Sequence, residues 1–117
     1  MMNPVIKQKW IEALRSSEYS QAKFRLYDGQ SYCCLGVLCD LYLKENNQEW
    51  TVLSNTEENI DEYYIAGQSE TLPRRVREWA GIEDSMSETP LGTSLIALND
   101  EEDYTFSLIA DVIEAEL

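Results

Sequence analysis

The sequence predicts a single α+β domain over residues 1–117, with a small antiparallel sheet set around one central buried helix. Three observations point there. Apolar residues recur with the 3.6-residue period near both ends of the chain, and short β-prone stretches lie at 22–33, 48–53 and 62–66. Between them runs a segment, 34–44, that is apolar on almost every side, as a helix in the middle of a core must be. With 44% hydrophobic and 26% charged residues in 117, the chain can bury a core without disulfide or metal staples.

The first helix is expected over residues 4–15. Asn3 is a good N-cap, Pro4 fits the first helical position, and Ile6, Trp10, Ala13 and Leu14 fall on one stripe. Residues 22–27 then alternate with period two, and Asp28-Gly29 supplies the positive φ of a tight turn, which predicts a hairpin over 22–33. On that reading Ala22, Phe24 and Leu26 face the core, and Lys23, Arg25 and Tyr27 face away. Within the central helix, 34–44, Gly36 marks a place where a neighbouring backbone comes close. Two short strands are expected at 48–53 and 62–66, joined by a polar loop.

Leu72-Pro73 opens a helix over 73–80, with Leu72, Val76 and Trp79 on its inner stripe and Gly81 just past its end. Residues 83–93 read as loop, and 94–100 as one or two helical turns. Thr105 caps a last helix, 106–116, whose inner stripe is Phe106, Ile109, Ala110, Ile113 and Leu117.

Composition excludes several classes of function. There is no histidine, hence no Ser-His-Asp triad, Cys-His pair, His-ligated metal or imidazole base. The net charge of −13 argues against direct binding to nucleic acid or to an anionic membrane. That charge is unevenly placed: residues 1–44 carry a net of +2, 45–77 a net of −4, and 78–117 hold eleven acids and no base. Such block asymmetry marks either an interaction surface or a solvated, solubilising face. The N-terminus has no basic segment leading into an apolar one and no apolar run approaches 18 residues, so a cytoplasmic protein without leader or membrane span is expected.

Several stretches together resemble a known family. They are Trp10-Ile11-Glu12-Ala13-Leu14-Arg15, the string Cys33-Cys34-Leu35-Gly36-Val37-Leu38-Cys39-Asp40-Leu41, Leu72-Pro73, Trp79-Ala80-Gly81, Leu98-Asn99-Asp100 and Thr105-Phe106. In these the chain is similar to a family of small acidic accessory proteins of tailed phages and prophages. The resemblance implies a setting, the cytoplasm of an infected bacterial host, and the company of inhibitors of host defence or host enzymes. It implies no mechanism.

Three sets of residues are candidates for chemistry. Cys33, Cys34 and Cys39 lack both the spacing and the second pair of a metal site, and buried packing is their ordinary use. The carboxylates Asp100, Glu101, Glu102, Asp103, Asp111, Glu114 and Glu116 form either a solvated face or a surface for a basic partner. Their run lacks the alternation and glycine of a calcium loop. Arg25, Arg74, Arg75 and Arg77 with Tyr27, Tyr63 and Tyr64 would suit a nucleotide if they converged, since guanidinium grips phosphate and tyrosine stacks on bases. Their alternative use is pairing with the many acids.

The leading functional expectation is a non-enzymatic inhibitor that presents carboxylates, in imitation of nucleic-acid phosphates, to a basic host protein. The alternative is a protein that sequesters a nucleotide messenger in an Arg/Tyr pocket. A small enzyme comes third, because no nucleophile–base pair, metal set or cofactor motif can be named; no cofactor and no metal are expected.

Overall fold

The computed structural model describes residues 2–55, 57, 60–83, 88–89 and 91–117. Helix α1 (Pro4–Arg15) starts as its sequence dictates: Asn3 Oδ1 accepts from the Val5 and Ile6 amides at 2.9 and 3.2 Å, and Pro4 occupies the first turn. Ile6, Trp10, Ile11 and Leu14 are buried, so the stripe is centred one residue away from the Ala13 side that the periodicity favours. Helix α2 (Cys34–Glu45) is the core, with every residue from Cys34 to Asp40 buried. Trp10 Nε1 donates to the Cys34 carbonyl at 2.9 Å and fixes α1 across its start.

Gly36 has the role its position in an apolar helix implies. The backbone of Leu26 crosses α2 there, and a Cβ on Gly36 would stand 1.7 Å from the Leu26 carbonyl oxygen. The Leu26 side chain is fully buried.

The stretch 22–33 corrects the reading of a hairpin. Its turn holds: Gly29 has φ 101°, and Asp28 Oδ1 accepts from the Gln30 and Ser31 amides. Its strands do not form, and only isolated bridges join Gln21 and Tyr27 to Tyr32. The reason lies at Phe24, whose φ of 68° reverses the alternation and leaves the ring 64% exposed. The backbone groups find other partners instead. Phe24 N donates to Asp100 Oδ1 at 3.0 Å, Leu26 N to the Ser69 carbonyl at 2.8 Å, and Cys33 N to the Leu26 carbonyl at 3.2 Å.

The sheet is therefore one antiparallel pair, β1 (Thr51–Asn55) and β2 (Ile60–Tyr64), with Thr51 opposite Tyr64 and Leu53 opposite Glu62. It stands beside the helices rather than around α2, and among the described residues no helix packs extensively along it. The joining loop falls partly outside the described residues, as does much of the loop expected over 83–93.

Helix α3 (Arg74–Ala80) ends at Gly81 in the left-handed region, φ 78°, and buries Val76 and Ala80. Trp79 is half-buried and meets Tyr42 edge-on at 5.3 Å. Helix α4 (Leu95–Asp100) is capped by Ser94, and α5 (Phe106–Glu116) by Thr105, with Phe106, Ile109, Ala110 and Ile113 inward. Helices α1, α3 and α4 pack on α2, while α5 lies along α1 rather than on the central helix. Leu38 is fully buried and Leu41 only partly, so Leu38→Ala should cost about 2–5 kcal/mol in a denaturant titration and Leu41→Ala clearly less.

Candidate functional site

The C-terminal carboxylates divide into three kinds. Two hold the fold. Asp100 Oδ1 accepts from Phe24 N and from Asn99 Nδ2, and Glu116 Oε1 accepts from both the Thr89 and Thr93 hydroxyls at 2.7 Å. Three are paired with N-terminal cations. Arg15 reaches Asp111 at 2.6 Å and Glu114 at 3.3 Å, and Lys23 pairs with Asp103. The hydrogen bond donated by Lys23 holds the Asp103 carboxyl below its ordinary range, and those that Arg15 donates to Asp111 and Glu114 push its guanidinium up. The last two, Glu101 and Glu102, are exposed and make no ion pair or side-chain hydrogen bond among the described residues.

The second set of residues is dispersed. Arg74 pairs with Glu78 at 2.8 Å, and Arg77 Nη1 donates to the Glu83 carbonyl at 2.9 Å while its buried Nε has no partner among the described residues. These two arginines line a shallow groove with Gly81 and Ile82. Arg75 lines a different cleft of about 410 Å³, with Tyr42, Thr51 and Ile65. Tyr63 borders a third, and Arg25 lies near Tyr64, whose hydroxyl donates to Glu62 at 2.7 Å. Among the described residues the candidate arginines thus do not converge on one pocket with Tyr27, Tyr63 and Tyr64.

The structure assembles a site that reading along the chain missed. Asp40, buried on α2, accepts from Tyr19 Oη at 2.7 Å and Trp50 Nε1 at 3.1 Å, and pairs with Lys44 at 3.1 Å. Rings surround it: Tyr27 stacks on Tyr32 at 4.3 Å, Tyr19 meets Tyr32 edge-on at 5.0 Å, and Tyr27 also touches Trp50 and Tyr63. Burial, and then the Asp40 charge, push the Tyr32 phenol well up; burial and the hydrogen bond to Asp40 do the same for Tyr19. With three donors on its oxygens, Asp40 is a structural anchor that clamps the aromatic cluster to the central helix. The signal was present: Asp40 is the lone charge in the apolar run 34–43.

The model of the family described as Domain of unknown function (DUF8296) matches residues 2–117. The chain belongs to this family. No curated protein and no solved structure matches it. The core string that carries the resemblance noted above is, in this family member, the N-terminal two-thirds of α2 with its cap.

The cysteines sit within that string, and all three are buried and unbridged. Cys33 is the N-cap of α2, its Sγ accepting from the Gly36 amide at 3.4 Å, and Cys34 Sγ donates to the Leu95 carbonyl at 3.6 Å. Among the described residues no group of three or more Cys, Asp and Glu could hold a metal ion. Burial pushes Cys33 up to about 11 and raises Cys34 and Cys39 as well. A thiol reagent at neutral pH should therefore label the native protein slowly and the unfolded chain at once. The folded state holds these protons more tightly, so their contribution is complete below the ordinary thiol value of 9.0 and is lost as pH rises from there through the folded values. A denaturation midpoint that stays level or rises above that pH would contradict the burial of the thiols.

No helix among the described residues is long and apolar enough to cross a membrane.

Proposed function

We propose that the protein is a phage-encoded, non-enzymatic inhibitor that binds a basic protein of the bacterial host through its C-terminal carboxylates, in the place of nucleic-acid phosphates. One observation carries this reading. Residues 78–117 hold eleven acids and no base, and among the described residues only Arg15, Lys23 and Arg74 reach into that block to form ion pairs. The block is thus attenuated at Glu78, Asp103, Asp111 and Glu114 and stays strongly negative. Among the described residues Glu101 and Glu102, at the end of α4, are exposed without an ion pair or side-chain hydrogen bond, and Asp111 and Glu114 lie with Ser107 and Leu108 on the exposed side of α5, whose apolar stripe is spent on α1.

A surface of this kind steers a basic protein by long-range attraction. Proteins that handle nucleic acid carry the matching charge, and the phage setting supplies both defence and replication proteins as targets. The test is affinity capture from host lysate followed by elution with duplex DNA. Retained proteins should be basic and DNA should displace them; retention that DNA leaves untouched would count against the reading.

The second reading, sequestration of a nucleotide, is favoured by one observation: Arg75 has no ion-pair partner among the described residues and lines the cleft of about 410 Å³. Extraction of the denatured protein tests it, since a bound nucleotide would be released in amounts stoichiometric with the chain.

A further inference from the structure

We propose that the open edge of β1 is a docking site at which an extended, basic segment of the partner protein adds as a third strand. This inference rests on the reading that the partner is basic, and it states where and how that partner is held.

The hairpin is the most apolar exposed element of the described structure. Val52, Leu53 and Ile60 are each about half exposed, at 48, 54 and 48%. By register, Leu53, Ile60 and Tyr64 share one face, and Val52 and Tyr63 share the other. The second face is turned toward the body, because the Tyr63 ring packs on Tyr27 at 4.7 Å and over Gly29. The first face is turned away. Outside the β1–β2 ladder, no backbone N–H or C=O of 51–55 or 60–64 makes a backbone hydrogen bond among the described residues. The chain after β2 closes on itself through the Ile65–Gln68 bridge and is tied to the body by the bond from Leu26 N to the Ser69 carbonyl, which leaves β1 as the freer edge.

An open, partly apolar edge invites any strand, and charge decides which. Residues 45–73 contain seven acids and no base. Arg25 approaches Tyr64 from the body, and Glu62 and Glu70 act on the same ring with the opposite sign. A second copy of this chain pairing edge to edge would bring two such stretches together and be repelled. A strand in which Lys or Arg alternates with apolar residues meets attraction from the carboxylates, a surface for its apolar side at Leu53, and backbone partners along β1.

The probe is a set of twelve-residue peptides selected from a random displayed library on the full chain. Enriched sequences should be net positive with apolar residues at alternate positions. Their affinity should fall about tenfold or more for Leu53→Ser/Ile60→Ser, substitutions at exposed positions that leave the fold standing. It should hold for a variant carrying Glu101→Gln, Glu102→Gln, Asp111→Asn and Glu114→Gln. On the unaltered protein, peptide binding should slow amide exchange in 51–55. Failure to enrich, enrichment without positive charge, equal binding by the hairpin variant, or unchanged exchange in 51–55 would each overturn the inference. A loss confined to the C-terminal variant would overturn it while leaving the carboxylate reading in place.

Discussion

Gly36→Ala is expected to remove the native fold at ordinary temperature. The new methyl would sit 1.7 Å from the Leu26 carbonyl oxygen and 2.6 Å from its carbonyl carbon, both backbone atoms. Neither chain can move aside cheaply. Leu26 is held by its own amide to Ser69 and by its carbonyl to Cys33, its side chain fills the core, and Gly36 lies in the first turn of α2, within its buried run Cys34–Asp40. Overpacking a core costs about 1–3 kcal/mol, and more when backbone hydrogen bonds must break. A loss above about 3 kcal/mol is a large share of a total of about 5–15. Loss of the cooperative unfolding transition, read by circular dichroism, is the expected result; a midpoint near that of the parent would show that Leu26 does not cross α2 here.

Asn99→Ala should have the next largest effect. Asn99 is fully buried, and its amide makes four hydrogen bonds. Its oxygen accepts from Gln21 Nε2 at 3.0 Å and the Cys34 amide at 3.2 Å, and its nitrogen donates to the Ala22 carbonyl and to Asp100 Oδ1, both at 2.8 Å. It thereby ties α4 to the start of α2 and to the irregular stretch after α1. Each buried group left unpaired costs about 1–3 kcal/mol, so truncation should cost about 3 kcal/mol or more. Asn99→Asp keeps the acceptor but loses both donors and buries a charge beside Asp100, so it should destabilise too, and more at neutral than at acidic pH. Equal stability of the three proteins in urea would rule out this hub.

The helices were legible because their signals are local. Asn3-Pro4, Thr105 and Gly81 fix three ends by their own chemistry, and the stripes on α1 and α5 recur within a few residues. The close approach at Gly36 was legible too, since a glycine in a helical segment apolar on almost every side has few other uses. The stretch 22–33 was not. Its alternation is real in sequence, but the amide of Phe24 is claimed by Asp100 and Leu26 is drawn across Gly36, and both demands come from elsewhere in the chain. The same holds for the candidate surfaces. That the last third is acidic could be counted, whereas its pairing with Arg15 and Lys23 spans 96 and 80 residues. Asp40 stood out as a lone charge, and only the fold brings Tyr19 and Trp50 to it.

The pairing pattern also chooses the residues that probe the carboxylate surface. Glu116 and Asp100 are left in place because they hold Thr89, Thr93 and the Phe24 backbone. Glu101, Glu102, Asp111 and Glu114 are exposed, so their conversion to amides should leave the unfolding midpoint close to that of the parent; the ion pairs lost at Arg15 lie on the surface and contribute little. The most direct test is the association rate of the four-fold variant and of the parent with a basic protein captured from host lysate, measured between about 50 and 200 mM salt. The parent should associate fast at low salt and slow steeply as salt rises, and the variant should be slower and less steeply dependent on salt. Equal rates for the two proteins, unchanged by salt, would contradict a functional surface made of carboxylates.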